Sequence, residues 1–153
     1  MELKRGDMFA ESKADLILFT ANGVVKRDGS LVMGAGAAKQ AARLYPELPA
    51  LLGRALRQRF RPGPGGVYRY HLAYSSKLGA GAFQTKLHYR DPSPLELVRA
   101  SAEVLAEDAR RNPGRRYAVN LPGTGLGGLE AGVVLEVLEE LWRDLPIEVW
   151  SRS

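Results

Sequence analysis

The sequence has 153 residues, of which 45% are hydrophobic and 25% charged, a composition typical of one globular domain and not of a disordered or fibrous chain. It contains no cysteine and only two histidines, so we expect neither disulfides nor a protein-held metal or cofactor. The net charge of +5 favours an anionic partner, and because no apolar run approaches the roughly 18 residues of a membrane span, we expect a cytoplasmic protein without a membrane partner.

The first half of the chain predicts a buried strand followed by two helices. Residues 14–22, ADLILFTAN, form a continuous apolar run without alternation, which is typical of a central strand covered on both faces. Residues 36–60 have a helical pattern. Pro46 and Pro49 should divide that pattern into two helices.

Two further strands and the clearest helix follow. Residues 66–75 alternate aromatic and polar positions, as strands near a sheet edge do, and a short strand is predicted at 81–86. The helix after them should have Ser93 as its N-cap and Pro94 at its first position, and it should stop at Asn112.

The last third of the chain predicts a second buried strand, a helix and a final strand. Residues 115–122 have the same apolar character as the first buried strand, and 146–151 alternate like a strand nearer an edge. The helix between them, 129–143, has one apolar stripe. That stripe consists of Leu129, Val133, Val137 and Leu141. Strands alternating with helices predict an α/β domain with a largely parallel sheet between helix layers.

Both buried strands run directly into loops of small residues, at 20–40 and 120–132, and each loop leads into a helix. In an open α/β sheet, ligands bind beyond the carboxyl ends of the strands, where loop N–H groups and helix amino termini favour anions. No GxxxxGK[ST] P-loop occurs. GTGLGG matches the dinucleotide fingerprint, but at residue 123 it comes too late for a complete Rossmann domain. The remaining alternative is that the glycines serve only the fold.

Five stretches resemble a known family in their order and spacing. They are Gly6-Asp7, Thr20-Ala21-Asn22, VMGAGAA at 32–38, FQTKLHYRDPS at 83–93 and PGTGLGGLEAG at 122–132. Together they resemble the macro domain, which binds ADP-ribose. The fourth and fifth look most like the branch containing the DarG antitoxin macro domains and the terminal ADP-ribose protein glycohydrolase, enzymes that remove ADP-ribose with a lysine. The resemblance implies a monomeric, single three-layer α/β/α domain with a mixed, largely parallel sheet.

The resemblance also implies a placement of ADP-ribose on this chain. Asp7 would accept a hydrogen bond from the adenine amino group with Met8 behind it, and Asn22 would contact the distal ribose. Two loops would surround the ribose and the diphosphate through their backbone. They comprise Gly34, Ala35 and Gly36, and then Thr124, Gly125, Leu126, Gly127, Gly128 and Leu129. A side chain at Gly125 or Gly127 would conflict with a positive φ angle or stand where a phosphate oxygen belongs.

The resemblance makes Lys86 the candidate catalytic residue. It would attack or polarise the anomeric carbon of the distal ribose, which requires desolvation or a neighbouring cation because a lysine in water is protonated at neutral pH. His88 would point to the same face if the strand continues, and it would shuttle a proton. A solvated surface lysine and a packing histidine are the ordinary alternatives.

Three departures from the family pattern affect the expected substrate. The glycohydrolase has an acidic residue at the position of Gly127, whereas the DarG type has glycine. DarG-like chains have a lysine where Ala35 stands, and residues 23–31 resemble an insertion.

The resulting hypothesis is a hydrolase that binds ADP-ribose and cleaves its link to a macromolecule, with a nucleobase in DNA as the linked group. The alternatives are a non-catalytic ADP-ribose-binding module, a hydrolase of O-acetyl-ADP-ribose or ADP-ribose 1''-phosphate, and a nucleic-acid binder that ignores ADP-ribose. If one of two basic clusters borders the cleft, it would hold the phosphates of an ADP-ribosylated nucleic acid, but solvated helix ends are the preferred explanation for both clusters. The clusters are Arg54, Arg57, Arg59 and Arg61, and Arg110, Arg111, Arg115 and Arg116.

Overall fold

The computed structural model describes residues 1–152. The strands are β1 (Glu2–Arg5), β2 (Leu16–Ala21), β3 (Leu72–Ser75), β4 (Ala80–Gln84), β5 (Tyr117–Asn120) and β6 (Ile147–Ser151). The helices are α1 (Met8–Glu11), α2 (Ala37–Leu44), α3 (Leu48–Arg59), α4 (Leu95–Arg111) and α5 (Ala131–Trp142), with short 3-10 turns at Pro64–Gly66 and Gly125–Gly127. Among residues 1–152, no helix combines the length and the apolar character needed to cross a membrane.

The six strands form one mixed sheet in the order β1-β6-β5-β2-β4-β3. Every neighbouring pair is parallel except β3 and β4, which form an antiparallel hairpin. The two apolar runs predicted to be central strands, β2 and β5, lie side by side, with Ile17 opposite Ala118. This confirms the expected mixed, largely parallel sheet, and it brings the loops that follow both strands to the same end of the sheet.

Helices cover both faces of this sheet, which confirms the three-layer α/β/α architecture. On one face, α4 and α5 pack against Leu16 and Leu18, and the ring of Phe83 meets that of Trp142 edge to face at 5.9 Å. On the other face, α2 and α3 pack against Phe19 and the small residues of β4. The alternation along β2 therefore divides the apolar residues between two cores.

The prolines and the apolar runs predict most of the elements, but several boundaries differ. The division of 36–60 into two helices is confirmed, since α2 ends at Leu44 and α3 begins at Leu48. The edge strand β3 begins only at Leu72, because His71 has a φ of 65°, which interrupts the extended backbone. The strand predicted at 81–86 spans Ala80–Gln84 and is fully buried.

The two long helices near the carboxyl end also start later than the sequence predicts. Pro94, not Ser93, is the N-cap of α4, because Ser93 is held by a hydrogen bond from its N–H to the Gly127 carbonyl. In α5 the predicted stripe is wrong at Val133, which is 40% exposed. Leu129 donates its N–H to the Gly123 carbonyl and so belongs to the preceding loop. The residues of α5 that are buried are Val134, Val137, Leu138 and Trp142.

Candidate functional site

Two adjoining cavities open at the carboxyl ends of β2, β4 and β5. The first, of about 280 Å³, is called here the lysine cavity. Its walls are formed by Thr20, Ala21, Asn22, Gly34, Ala35, Gly36, Ala37, Ala38, Thr85, Lys86, Tyr89, Ser93, Asn120, Gly123, Thr124, Gly125, Leu126 and Gly127. The second, of about 420 Å³, is called the tryptophan cavity. Its walls are formed by Gly6, Met8, Phe9, Gly36, Ala37, Gln40, Asn120, Leu121, Thr124, Trp150, Ser151 and Arg152.

The two cavities meet at a neck, which we define as the four residues that line both of them. These are Gly36, Ala37, Asn120 and Thr124. The neck therefore combines the start of α2, the end of β5 and the start of the second glycine-rich loop. The two cavities therefore adjoin at these residues.

The loop after β2 is fixed by the side chain of Asn22. This residue is 4% exposed, and its Nδ2 donates to the Val32 carbonyl at 3.0 Å while its Oδ1 accepts from the Val24 N–H at 2.9 Å. Asn22 thus ties both ends of the stretch that resembles an insertion, and it also lines the lysine cavity. Gly36 follows with a φ of 68° and precedes the first turn of α2.

The loop after β5 presents backbone donors to the cleft. Its 3-10 turn is closed by hydrogen bonds from the N–H of Gly127 to the Thr124 carbonyl and from the N–H of Gly128 to the Gly125 carbonyl. The N–H groups of Thr124, Gly125 and Leu126 have no acceptor among residues 1–152. Unpaired N–H groups beside a cavity favour an anion.

The glycines of this loop are required for different reasons. Gly125 has a φ of 64°, as expected for a residue that a side chain would strain. Gly127 lies outside the left-handed region, and a Cβ there would stand 2.4 Å from the Ser93 Oγ. The expected positive φ at Gly127 is therefore wrong, and contact with Ser93 is a further reason for a glycine there. Gly128 and Leu129 line neither cavity.

Lys86 lies in the wall of the lysine cavity, two residues beyond the end of β4. Its Nζ donates to the Tyr89 carbonyl at 3.3 Å. Its backbone N–H donates to the Ala21 carbonyl at 3.2 Å, and its carbonyl accepts from the Nε2 of Gln84 at 3.0 Å. The lysine is thus held by main-chain contacts on both sides, and its amine is hydrogen-bonded to a neutral carbonyl.

Gln84 is a completely buried residue that joins Lys86 to the edge of the sheet. Its Nε2 also donates to the Tyr68 carbonyl at 2.8 Å, while its Oε1 accepts from the N–H groups of Tyr70 and His71 at 2.8 and 2.9 Å. All four hydrogen-bonding positions of the amide are occupied. The sequence analysis missed Gln84, although a glutamine at the end of an apolar strand was a signal.

His88 does not have the geometry expected for a proton shuttle. The expectation required the strand to continue, but β4 ends at Gln84. The His88 ring packs on the Tyr89 ring with centroids 4.3 Å apart, and its Nδ1 accepts from the Arg90 N–H at 3.2 Å. His88 lines neither of the two cavities.

The other histidine, His71, contacts Gln84 through its backbone N–H. Its Nε2 is buried without a hydrogen-bond partner among residues 1–152. Burial lowers the pKa of His71, the positive charge of Arg69 lowers it further, and Glu96 opposes both effects. The segment before β3 that bonds to Gln84 therefore contains a histidine whose pKa is lowered.

The tryptophan cavity holds one of the two residues expected to contact adenine. Met8 lines it together with Phe9 and Trp150, which the sequence analysis did not single out. Asp7 does not line it. Its Oδ1 accepts from the Ala10 N–H at 3.4 Å as the N-cap of α1, and from the Gln40 Nε2 at 3.3 Å.

The basic clusters lie away from both cavities. None of their eight arginines lines either cavity. Arg111 pairs with Glu107 at the end of α4, and Arg115 pairs with Asp108 at 3.5 Å just before β5 begins. This second cluster is at the amino end of β5, opposite the cleft. Among residues 1–152, no group of three or more histidine, aspartate or glutamate side chains is arranged to hold a metal ion.

Comparison with solved structures identifies the fold. The macrodomain of Thermus aquaticus DarG has a TM-score of 0.72 and 27% identity, over 99% of this chain and 97% of that one. The macrodomain of Mycobacterium tuberculosis DarG has a TM-score of 0.76 and 26% identity, over 99% and 98%. The chain has the fold of a macro domain. No family model and no curated protein matches its sequence.

The macro domain also has the fold of a structure that contains a ligand. Thermosipho africanus DarTG in complex with ADP-ribose has a TM-score of 0.74 and 23% identity, over 99% of this chain and 41% of that one. This macro domain therefore corresponds to less than half of the DarTG chain. The similarity to the two DarG macrodomains extends over nearly the whole length of this chain and of each of those two chains.

Proposed function

We propose that this macro domain binds ADP-ribose, with the adenosine in the tryptophan cavity and the distal ribose in the lysine cavity. The diphosphate would lie at the neck, beside the unpaired N–H groups of Thr124, Gly125 and Leu126. The observation that carries this proposal is that the two cavities adjoin at the neck, where the start of α2 and the start of the second loop meet the end of β5. The similarity in fold to DarTG in complex with ADP-ribose supports it.

The binding mode matches the chemistry of each part of the ligand. An adenine ring is flat and largely apolar, and Met8, Phe9 and Trp150 supply apolar walls. A diphosphate is an anion, and backbone N–H groups at the start of α2 and of the second loop favour it without a basic side chain. The ribose needs polar partners, and Asn22, Thr85 and Asn120 line the lysine cavity.

We further propose that the macro domain hydrolyses the bond between ADP-ribose and a macromolecule, with Lys86 as the catalytic residue and a nucleobase in DNA as the linked group. The net reaction adds the hydroxyl of water to the anomeric carbon of the distal ribose and a proton to the leaving group. A distal ribose bound in the lysine cavity would lie beside the Lys86 side chain, which lines that cavity. The similarity to the two DarG macrodomains supports this assignment.

One observation favours a second candidate, an ADP-ribose-binding module without turnover. Among the described residues, those that line the lysine cavity include no aspartate, glutamate or histidine. Lys86 therefore shares the lysine cavity with no described carboxylate or imidazole that would take or give a proton. Under this alternative the cavity retains ADP-ribose, and Lys86 contributes only to binding.

The deciding experiment compares release of ADP-ribose by the wild type, Lys86→Ala and Lys77→Ala. Lys77 is an exposed lysine in the turn between β3 and β4, at the opposite end of the sheet, and serves as the matched control. The substrates are ADP-ribosylated DNA, ADP-ribosylated protein, O-acetyl-ADP-ribose and ADP-ribose 1''-phosphate. Release from DNA that Lys86→Ala abolishes and Lys77→Ala preserves supports the hydrolase.

Other outcomes select other functions. Tight binding of ADP-ribose with no release from any substrate supports the binding module. Release from the two small substrates alone supports a metabolite hydrolase. A protein that does not bind ADP-ribose in a calorimetric titration contradicts the whole proposal.

We also propose that residues 1–153 act as one domain and as a monomer. The apolar clusters support one domain, because each contains residues from distant parts of the chain, such as Leu16 with Val149. Limited proteolysis and size-exclusion chromatography with light scattering test these two points. Early cleavage into two stable fragments, or a dimeric mass, would contradict them.

A further inference from the structure

We infer that Ser93 contacts the ligand, with its hydroxyl donating a hydrogen bond to an oxygen of the distal ribose. This inference rests on the proposed binding of ADP-ribose but not on the proposed hydrolysis. It assigns a role to a residue that neither caps α4 nor belongs to the loops expected to surround the ligand.

The first observation is that the Ser93 hydroxyl is buried and unsatisfied. Ser93 is 4% exposed, and its Oγ has no hydrogen-bond partner among residues 1–152. Ser101, in α4, is also buried, but its Oγ donates to the Gln84 carbonyl at 2.7 Å. Buried hydroxyls are nearly always paired, because an unpaired one destabilises the folded protein. The Ser93 hydroxyl is therefore free to bond to a ligand, whereas the Ser101 hydroxyl is already paired within the protein.

The second observation is the position of Ser93. It lines the lysine cavity with Asn22 and Lys86, and it does not line the tryptophan cavity. Its Oγ lies beneath Gly127, and its N–H donates to the Gly127 carbonyl at 2.9 Å. A serine side chain has three staggered χ1 positions. Rotation about χ1 can move the Oγ from beneath the loop towards the cavity that Ser93 already borders.

The ordinary structural roles of a serine at this point do not account for the hydroxyl. A serine before a helix commonly caps it, but here Pro94 is the N-cap and no side-chain capping bond is made. A packing role against Gly127 would be fulfilled by alanine, which has the same Cβ and no unsatisfied oxygen. Replacing Ser93 with alanine therefore separates a ligand contact from a packing contact.

The test is a calorimetric titration of wild type, Ser93→Ala and Ser101→Ala with ADP-ribose and with ADP, combined with thermal denaturation of each protein. ADP contains the adenosine and the diphosphate but not the distal ribose. We expect Ser93→Ala to weaken ADP-ribose binding about 5- to 10-fold, the range for one lost hydrogen bond, and ADP binding less than about 2-fold. The Tm of Ser93→Ala should equal or exceed that of the wild type, because the variant removes an unsatisfied group.

The control variant should show the reverse. Ser101→Ala leaves the Gln84 carbonyl without its partner, so its Tm should fall while its affinity for ADP-ribose, measured well below that Tm, changes less than about 2-fold. Three results with Ser93→Ala overturn the inference. They are unchanged ADP-ribose binding, an equal loss for ADP and ADP-ribose, and a Tm below that of the wild type.

Failure of the proposed function gives a different result. If the wild type binds neither ADP nor ADP-ribose, the proposed function fails and this inference fails with it. If the wild type binds ADP-ribose but releases none from any substrate, only the hydrolase is contradicted, and the comparison of Ser93→Ala with Ser101→Ala still decides the role of Ser93.

Discussion

Asn120 and Thr20 exchange two hydrogen bonds between the ends of the two central strands. The Asn120 Oδ1 accepts from the Thr20 N–H at 3.0 Å, and the Asn120 Nδ2 donates to the Thr20 Oγ1 at 2.9 Å. Both residues line the lysine cavity, and Asn120 also belongs to the neck. The floor of the cleft is thus fixed by the protein itself before any ligand binds.

We expect Asn120→Ala to lower the free energy of unfolding by about 1–3 kcal/mol, because it leaves the half-buried Thr20 N–H without an acceptor. Thr20→Val keeps that N–H bond and removes only the hydroxyl, so its loss should be smaller. Urea unfolding of both variants and of the double variant gives the coupling between the two side chains. A loss for Thr20→Val that equals or exceeds that for Asn120→Ala would contradict this account.

The contact between Gly127 and Ser93 predicts the effect of a side chain in the second loop. Gly127→Ala places a Cβ 2.4 Å from the Ser93 Oγ, so we expect a lower Tm and ADP-ribose binding weakened about 10-fold or more, the equivalent of about 1.4 kcal/mol. Adding Ser93→Gly should restore the Tm in part, since it removes the obstructing atom.

Gly132→Ala is the matched control for that substitution. Gly132 lies in α5, and a Cβ there meets nothing within 4 Å. Alanine should therefore raise the free energy of unfolding by about 0.5–1 kcal/mol through helix propensity. Thermal denaturation of both variants checks the contrast. Equal Tm values for Gly127→Ala and wild type would show that the loop moves away without cost.

Gln84→Glu tests whether the buried amide of Gln84 holds the backbone of Lys86 in place. The substitution replaces the Nε2 that donates to the carbonyls of Tyr68 and Lys86 with an oxygen that faces both of them. We expect the free energy of unfolding to fall by about 3 kcal/mol or more, because a carboxyl group is then buried without donors on that side. Urea unfolding measures the change, and Gln58→Glu, on the exposed surface of α3, is the control. A loss similar to that of Gln58→Glu would contradict the role of Gln84.

The lowered pKa of His71 predicts a loss of stability in mild acid. The folded protein binds a proton at His71 less readily than the unfolded chain, in which the pKa of histidine has its ordinary value of about 6.5. The unfolded state therefore binds more protons below about pH 6.5, and the free energy of unfolding falls as the pH falls through that value towards the lower folded pKa. The groups that shift this pKa are the buried surroundings, Arg69 and Glu96.

His71→Asn isolates this contribution. Asparagine tolerates the φ of 65° and does not titrate. When the pH is lowered from about 7.5 to about 5.5, across the ordinary histidine pKa, the Tm of the wild type should therefore fall more than the Tm of the variant. Thermal denaturation at the two pH values measures that difference. A constant difference would mean that His71 does not titrate differently in the two states.

Most of the fold could be predicted from local sequence patterns. Continuous apolar runs indicated β2 and β5, because strands buried on both faces have no polar alternation, and Pro46 and Pro49 marked the break between α2 and α3. From these elements alone the α/β layering followed. The glycines at the ends of both central strands indicated the edge of the sheet where the cavities lie.

The remaining features depend on contacts between distant residues. Ser93 has the sequence of an N-cap, but the carbonyl of Gly127 holds it outside the helix. Gly127 has no positive φ, and the contact of a Cβ there with Ser93 could not be read from the sequence. Gln84 is held by backbone groups of residues 68–71, and Trp150 lines its cavity with Met8 and Phe9 from the other end of the chain, so local pattern alone does not give either role.

The neck between the cavities has a consequence for the design of inhibitors. A flat heterocycle suited to the walls around Trp150 and a small polyol suited to the surroundings of Lys86 can be found separately, since each would occupy its own compartment. A short bridge passing Asn120 and Thr124 would then join them, and the second fragment would bind at the high effective concentration that such a bridge provides. The bridge need not carry a charge, because neutral acceptors such as a sulfone or an amide can satisfy backbone N–H groups.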